Sequence, residues 1–132
     1  MDGVLIDTHI WIWWMNGDSR LSKSALRSLD DAEQRPLLSV ISLWEVSLLV
    51  QKGLVDLGRT PGAWLNRAAA PETVSLAQIT ATVAHELFSL PPDFHGDPAD
   101  RILIATARAL DIPLLTHDKA IRRSGLVRLA RL

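Results

Sequence analysis

Cysteine is absent from this 132-residue sequence, and so is tyrosine. Without thiols there is no disulfide framework and no thiolate metal ligand, a pattern that fits a reducing compartment. An excess of charge is lacking too: 14 Lys and Arg face 15 Asp and Glu, for a formal net charge of −1. So even a balance carries no polybasic signature of a bulk nucleic-acid binder and no acidic tail. No apolar run approaches the roughly 18 residues that span a bilayer, and MDGVLID has an acid where a secretion signal favours basic residues. A soluble, cytoplasmic protein with no membrane contact is therefore expected. Internal repeats, linkers and low-complexity segments are also missing. What is present is 48% hydrophobic side chains, enough for one domain over residues 1–132 with a core of its own.

Short apolar runs alternate with helical periods along the chain. Val4 to Ile6 reads as a strand ending at Asp7, followed by a helix through Ile10, Trp13 and Trp14. Leu21 to Glu33 repeats the helical period, with Leu21, Ala25, Leu29 and Ala32 on one side and Pro36 closing it. Leu37 to Ile41 predicts a second strand, which feeds a helix that stops near Gly53. A short extended piece at Leu54–Leu57, a helix from Pro61 to Ala69, a strand at Thr73–Leu76 and a helix at Gln78–Leu87 come next. After the loop LPPDFHGDP, Pro98 takes the first position of a helix to Leu110 with Asp97 as its cap. Ile112–Thr116 predicts a strand, Asp118–Arg123 a short helix and Val127–Leu129 a last strand. Continuous hydrophobic strands alternating with helices indicate an α/β protein whose parallel sheet is covered on both faces.

The segment ISLWEVSLL sets one carboxylate, Glu45, among apolar and hydroxyl side chains. On a helix Glu45 shares a face with Ile41, Leu48 and Leu49, so the stripe that marks a buried surface includes an acid. Burying an unpartnered anion costs several kcal/mol, roughly, or drives its pKa up until it is neutral. A positively charged partner or a water-filled pocket is expected near it. In open α/β sheets the working site lies beyond the carboxyl ends of the strands. Asp7 and Asp118 follow strands directly, while Glu45 and Asp100 lie early in helices that open on the same edge, with Asp97 one turn before Asp100. Asp100 shares its face with Leu103, Ile104 and Ala107, pointing it toward the core.

Each acid has a plainer explanation when taken singly. Asp7, Asp97 and Asp118 all suit helix caps, Asp100 suits a capping arrangement with Asp97, and Glu45 suits a buried ion pair. As a set they are harder to dismiss. At about 4 Å and an effective dielectric near 20, two like charges repel by roughly 4 kcal/mol, so converging carboxylates either protonate or take up a cation. An all-oxygen set suits Mg²⁺ or Mn²⁺ better than zinc, and His9, His85, His95 and His117 show no ligand spacing; each reads as a surface or loop histidine. With such a metal the pocket can polarise a phosphodiester and activate water, which points to hydrolysis of a nucleic-acid backbone. Thr8 and Thr116 are candidates to hold carboxylates or waters in place, although threonines are common at strand ends.

VLIDTHIWIWW, SLWEVSLL, HGDPADRILIATA and LLTHDKAI, in that order and across essentially the whole chain, resemble the motifs of PIN-domain ribonucleases, specifically the VapC toxins of toxin–antitoxin pairs. The resemblance implies a three-layer α/β/α sandwich with a central, mostly parallel sheet. It implies an endoribonuclease dependent on Mg²⁺ or Mn²⁺, a homodimer, and inhibition by a small DNA-binding antitoxin. Carried over by position, the family's catalytic acids fall on Asp7, Glu45, Asp100 and Asp118. Asp97 joins them as an additional metal contact, and because members vary around the fourth acid, Asp97 and Asp118 compete for that place.

Two other classes fit less well. A phosphoacceptor signalling domain needs paired acids near the first strand and a lone aspartate after a middle one, and neither is present. A catalytically silent binding module does not call for the full acid set. The sequence leaves the RNA-binding residues and the RNA target unassigned. Trp11, Trp13, Trp14, Trp44 and Trp64 read first as core; Trp13 and Trp14 are candidates for an interface, and Trp11 or Trp14 for stacking on unpaired bases. Arg101, Arg108, Arg122 and Arg123 read as solvated surface, with phosphate contact as the alternative.

Overall fold

The computed structural model describes residues 3–31, 33–94 and 96–132. The chain runs β1 (Leu5–Ile6), α1 (Thr8–Asn16), α2 (Lys23–Leu29), β2 (Leu37–Ser39), α3 (Val40–Gln51), α4 (Pro61–Ala68), β3 (Ser75–Ala77), α5 (Ala81–Ser89), α6 (Pro98–Leu110), β4 (Leu114–Leu115) and α7 (Lys119–Ser124). The sheet has strand order β3-β2-β1-β4. Every pairing is parallel, with Leu5 level with Leu37 and Leu114, and Ile6 level with Leu38 and Leu115.

Strand alternation divides these residues between two cores. Ile6, Leu38 and Leu115 pack with Ile10, Trp11 and Ile12 of α1, Ala25 and Leu29 of α2, Val46 of α3 and Trp64 of α4. Leu5 and Leu114 turn the other way, onto Leu103, Ile104 and Ala107 of α6 and Ile121 of α7. Helices therefore cover both faces, which is the three-layer α/β architecture expected. Trp11 anchors the first core: it is wholly buried, its indole N–H donates to the Ala68 carbonyl at 2.9 Å, and its ring meets that of Trp64 edge-on at 4.8 Å.

Several expected boundaries are corrected. The strand expected over Leu37–Ile41 ends at Ser39, because the Ser39 hydroxyl accepts the Ile41 N–H at 3.1 Å and starts α3 at Val40. The second helix stops at Leu29 rather than Glu33; Asp31 accepts the Glu33 N–H at 3.0 Å and diverts the backbone into a turn. Ala32, the last position of that expected stripe, and the loop residue His95 lie outside the described residues. Leu54–Leu57, expected as a short extended piece, belongs to no strand of the sheet: Asp56 accepts the Gly58 N–H at 2.8 Å in a turn, with Leu57 tucked into the core. The third strand lies at Ser75–Ala77, two residues later than expected at its start, and the helix after it begins at Ala81 because Thr80 caps it, accepting from the Val83 N–H at 3.2 Å. Val127–Leu129 contributes only an isolated parallel bridge from Leu129 to Leu114. Among the described residues no helix is long and apolar enough to cross a membrane.

The order β3-β2-β1-β4 fixes where a site belongs. The chain steps outward from β1 through β2 to β3 and then returns to the far side of β1 as β4. The crevice beyond the carboxyl ends of β1 and β4 lies at this reversal, the usual location of a site in an open α/β sheet.

Candidate functional site

Asp7 and Thr116 leave adjacent strands at that crevice. Asp7 is buried, with 6% of its surface exposed, and caps α1 through Oδ1, which accepts the Ile10 N–H at 2.9 Å. Its other oxygen, Oδ2, accepts from the Thr116 hydroxyl. Thr116 Oγ1 in turn accepts the Asp118 N–H at 3.0 Å, so one hydroxyl ties the first acid to the loop that carries the last. Asp118 caps α7, its Oδ1 accepting from the Ile121 N–H at 2.9 Å.

Because α3 begins at Val40, Glu45 falls in its second turn, facing α1. The Thr8 hydroxyl donates to Glu45 Oε1, and Thr8 also lies 2.8 Å from the buried Ser42 hydroxyl one turn earlier on α3. Among the described residues no ion pair reaches Glu45; the pairs present are Arg20–Asp18, Arg108–Glu86 and Arg128–Asp111. The buried-ion-pair explanation of this acid therefore fails. From α6, Asp97 caps the helix by accepting the Asp100 N–H at 2.8 Å, and Asp100 stands half-buried one turn along.

Asp7, Thr8, His9, Trp13, Glu45, Asp97, Asp100, Leu103, His117 and Asp118 line one cleft of about 250 Å³. Every acid singled out in the sequence is in it. The capping explanations are also true, since Asp7, Asp97 and Asp118 each cap a helix with one oxygen. Capping and convergence are compatible because a carboxylate has two oxygens: in Asp97 and Asp118 the second has no partner among the described residues. Thr116 lies directly beneath the cleft, holding Asp7.

Electrostatics mark the cost of bringing these groups together. Asp100 is pushed up to about 7, first by burial and then by the negative charges of Asp97, Asp118, Glu45 and Asp7. Glu45 is raised by burial, against the hydrogen bond from Thr8, with Asp97 and Asp7 adding to the rise and His9 opposing it. Burial also raises Asp7, opposed by Thr116, the Ile10 N–H and His9 and reinforced by Asp118. A proton or a cation relieves such a set. Its all-oxygen donors fit a hard divalent ion such as Mg²⁺ or Mn²⁺. Among the described residues no three His, Asp or Glu side chains are clustered tightly enough to enclose an ion; one oxygen of Glu45 is engaged by Thr8, and the two of Asp7 by the Ile10 N–H and Thr116.

Four lining side chains have no site role in the sequence reading: the apolar Leu103, and His9, His117 and Trp13. The histidines lack liganding periodicity, and only their adjacency to Asp7 and Asp118 at strand ends could have placed them. Trp13, a candidate for core or interface, lines the cleft, and Trp11, a candidate for base stacking, is sealed in the core. Trp14 is tied by its N–H to Asp30 at 2.9 Å. Of the arginines, Arg108 is bound to Glu86 at 3.0 Å and to the Leu126 carbonyl, Arg101 to the carbonyls of Pro91 and Phe94, and Arg122 to the Thr116 carbonyl at 3.0 Å. Those three guanidinium groups hold this chain together, and Arg123 remains exposed.

Comparison with known proteins gives a consistent result. The PIN domain family profile matches residues 4–125. The chain is 34% identical over 122 residues to Ribonuclease VapC22 of Mycobacterium tuberculosis, covering 92% of each sequence. In fold it resembles VapBC2 from Rickettsia felis, crystallised with a DNA fragment from their promoter, at a TM-score of 0.74 and 16% identity over 98% of each chain. A toxin–antitoxin complex from Klebsiella pneumoniae superimposes with a TM-score of 0.66 and 22% identity, covering 96% of this chain and 95% of that one.

Proposed function

Since this chain belongs to the PIN-domain family, we propose that it is a metal-dependent endoribonuclease serving as the toxin of a type II toxin–antitoxin pair. The observation that carries the proposal is the gathering of Asp7, Glu45, Asp97, Asp100 and Asp118, from four separate parts of the sequence, on one cleft at the sheet's reversal point. Asp7, Glu45, Asp100 and Asp118 are the catalytic acids. Asp97 shares the task of holding Mg²⁺ or Mn²⁺, which when bound supplies Lewis-acid polarisation of the phosphodiester and lowers the pKa of an attacking water.

The chain's own residues do the positioning. Thr116 fixes the Asp7 carboxylate and the start of the Asp118 loop together, and Thr8 fixes Glu45 against α1. Both threonines are buried, so neither hydroxyl is lost to water. Asp100, pushed up to about 7 by burial and by the neighbouring carboxylates, is a group whose charge state a bound cation would change. Without that cation the cleft repels phosphate; with it, an RNA backbone can approach.

The partners follow from the same proposal: an RNA substrate, a second copy of the chain, and a DNA-binding antitoxin whose inhibitory segment sets a basic side chain among the carboxylates. Labelled RNA should be cleaved by the purified protein with Mg²⁺ or Mn²⁺, spared in EDTA, and spared by folded Asp7→Asn and Glu45→Gln variants. Undiminished cleavage by both variants defeats the assignment. If antitoxin leaves metal affinity unchanged, insertion among the acids is wrong.

A further inference from the structure

Beside the acids the same cleft has an aromatic wall, and we propose that Trp13 is a base-stacking residue that grips an unpaired nucleobase next to the scissile phosphate. The inference rests on the ribonuclease reading of the cleft and adds a substrate contact to it. Trp13 lines the cleft with Asp7, Glu45 and Asp118 while the rest of its ring packs on the first core, which holds the indole in one place. The His117 ring meets it edge-on at 5.0 Å and 61°, and the His9 ring at 6.3 Å and 62°. Arg20 sits over one face of it, with its guanidinium carbon 4.6 Å from the ring centroid and itself held by Asp18 at 2.7 Å, so a base that takes this face displaces that guanidinium or stacks upon it.

No indole hydrogen bond accounts for Trp13 as one does for its neighbours. Trp11, Trp14 and Trp64 each donate an indole N–H, to Ala68, Asp30 and Asn16 respectively, whereas Trp13 makes no such bond among the described residues. Its surroundings are instead two imidazoles and a guanidinium, the flat groups on which unpaired bases stack. Such a wall also answers the problem set by composition. A protein with a formal net charge of −1 gains little affinity for RNA from bulk attraction, so contact with a base next to the acids must supply part of it. Stacking tolerates any base, which makes Trp13 a grip on single-stranded RNA rather than a reader of sequence.

The test compares binding of fluorescein-labelled oligouridylate with binding of the same sugar-phosphate chain carrying abasic residues, by anisotropy in the cleavage-dead Asp7→Asn background. Trp13→Ala should weaken oligouridylate binding by about tenfold, the scale of one lost base–aromatic stack, and Trp13→Phe should restore most of it. Neither change should alter binding of the abasic chain. Equal binding of oligouridylate by Trp13→Ala and its parent overturns the inference, and so does an equal loss on the abasic chain, which marks a structural role. Failure of the ribonuclease reading itself is seen separately, as absence of cleavage by the unmutated protein with Mg²⁺ or Mn²⁺.

Discussion

Thr116 shows how much one hydroxyl does in this cleft. It donates to Asp7 and accepts from the Asp118 N–H, so Thr116→Val frees a buried carboxylate and a backbone donor at once while nearly keeping the side-chain volume. The expected result is a loss of metal affinity of about 10- to 100-fold, read by calorimetry with Mn²⁺, together with a stability loss of about 1–3 kcal/mol in urea unfolding. Unchanged metal binding shows that Asp7 does not depend on Thr116. Asp100 gives a prediction with a definite sign. Its carboxyl titrates at about 7 in the fold against 3.8 when unperturbed, so between those values the folded state holds more protons than the unfolded one. Its contribution to stability is thus complete below the lower value and is lost as pH rises through the upper. In EDTA, Asp100→Asn should therefore gain in Tm relative to the unmutated protein as pH rises from 3.8 to about 7, while losing cleavage when metal is restored. A Tm difference that stays flat with pH contradicts the charge crowding inferred for this residue. The acids were legible in the sequence because each sits at a strand end or breaks an apolar helical face. The aromatic wall was not, since Trp13 shares its helix and its spacing with core tryptophans and differs only in what surrounds it.

At the scale of elements, the caps decide where the acids sit. Ser39 is fully buried and ends β2 by capping α3, and that boundary puts Glu45 opposite Thr8. Ser39→Ala should cost about 0.5–2 kcal/mol in chemical denaturation and reduce cleavage, because α3 no longer starts at a fixed residue. A stability loss without any loss of activity separates the cap from the site. The order of strands and helices and the two-sided covering of the sheet could be read from hydrophobic runs alone. Boundaries differ where a polar side chain overrides the pattern: Ser39 and Thr80 set helix starts through their hydrogen bonds, and Asp31 and Asp56 turn the backbone where apolar residues suggest continuation. The extended piece expected at Leu54–Leu57 is the clearest case, for Leu57 is buried while the chain beside it turns at Asp56.

For the whole molecule, stability and function pull against each other. Two apolar cores, one of them locked by Trp11, hold a sheet of very short strands and force five carboxylates toward one edge, where burial and the neighbouring charges push Asp7, Glu45 and Asp100 upward. Trp11→Ala should remove about 3–5 kcal/mol and reduce metal binding only through unfolding, which stability measurements with and without Mn²⁺ can separate. The measurement that bears most directly on the cleft is calorimetric titration of the apo protein with Mn²⁺ near pH 8, beside an Asp7→Asn, Asp100→Asn double variant whose circular dichroism matches it. Saturable binding by the unmutated protein that disappears in the double variant is the expected result. No saturable binding by the unmutated protein, or equal affinity in the two, contradicts a divalent-cation site built from these acids.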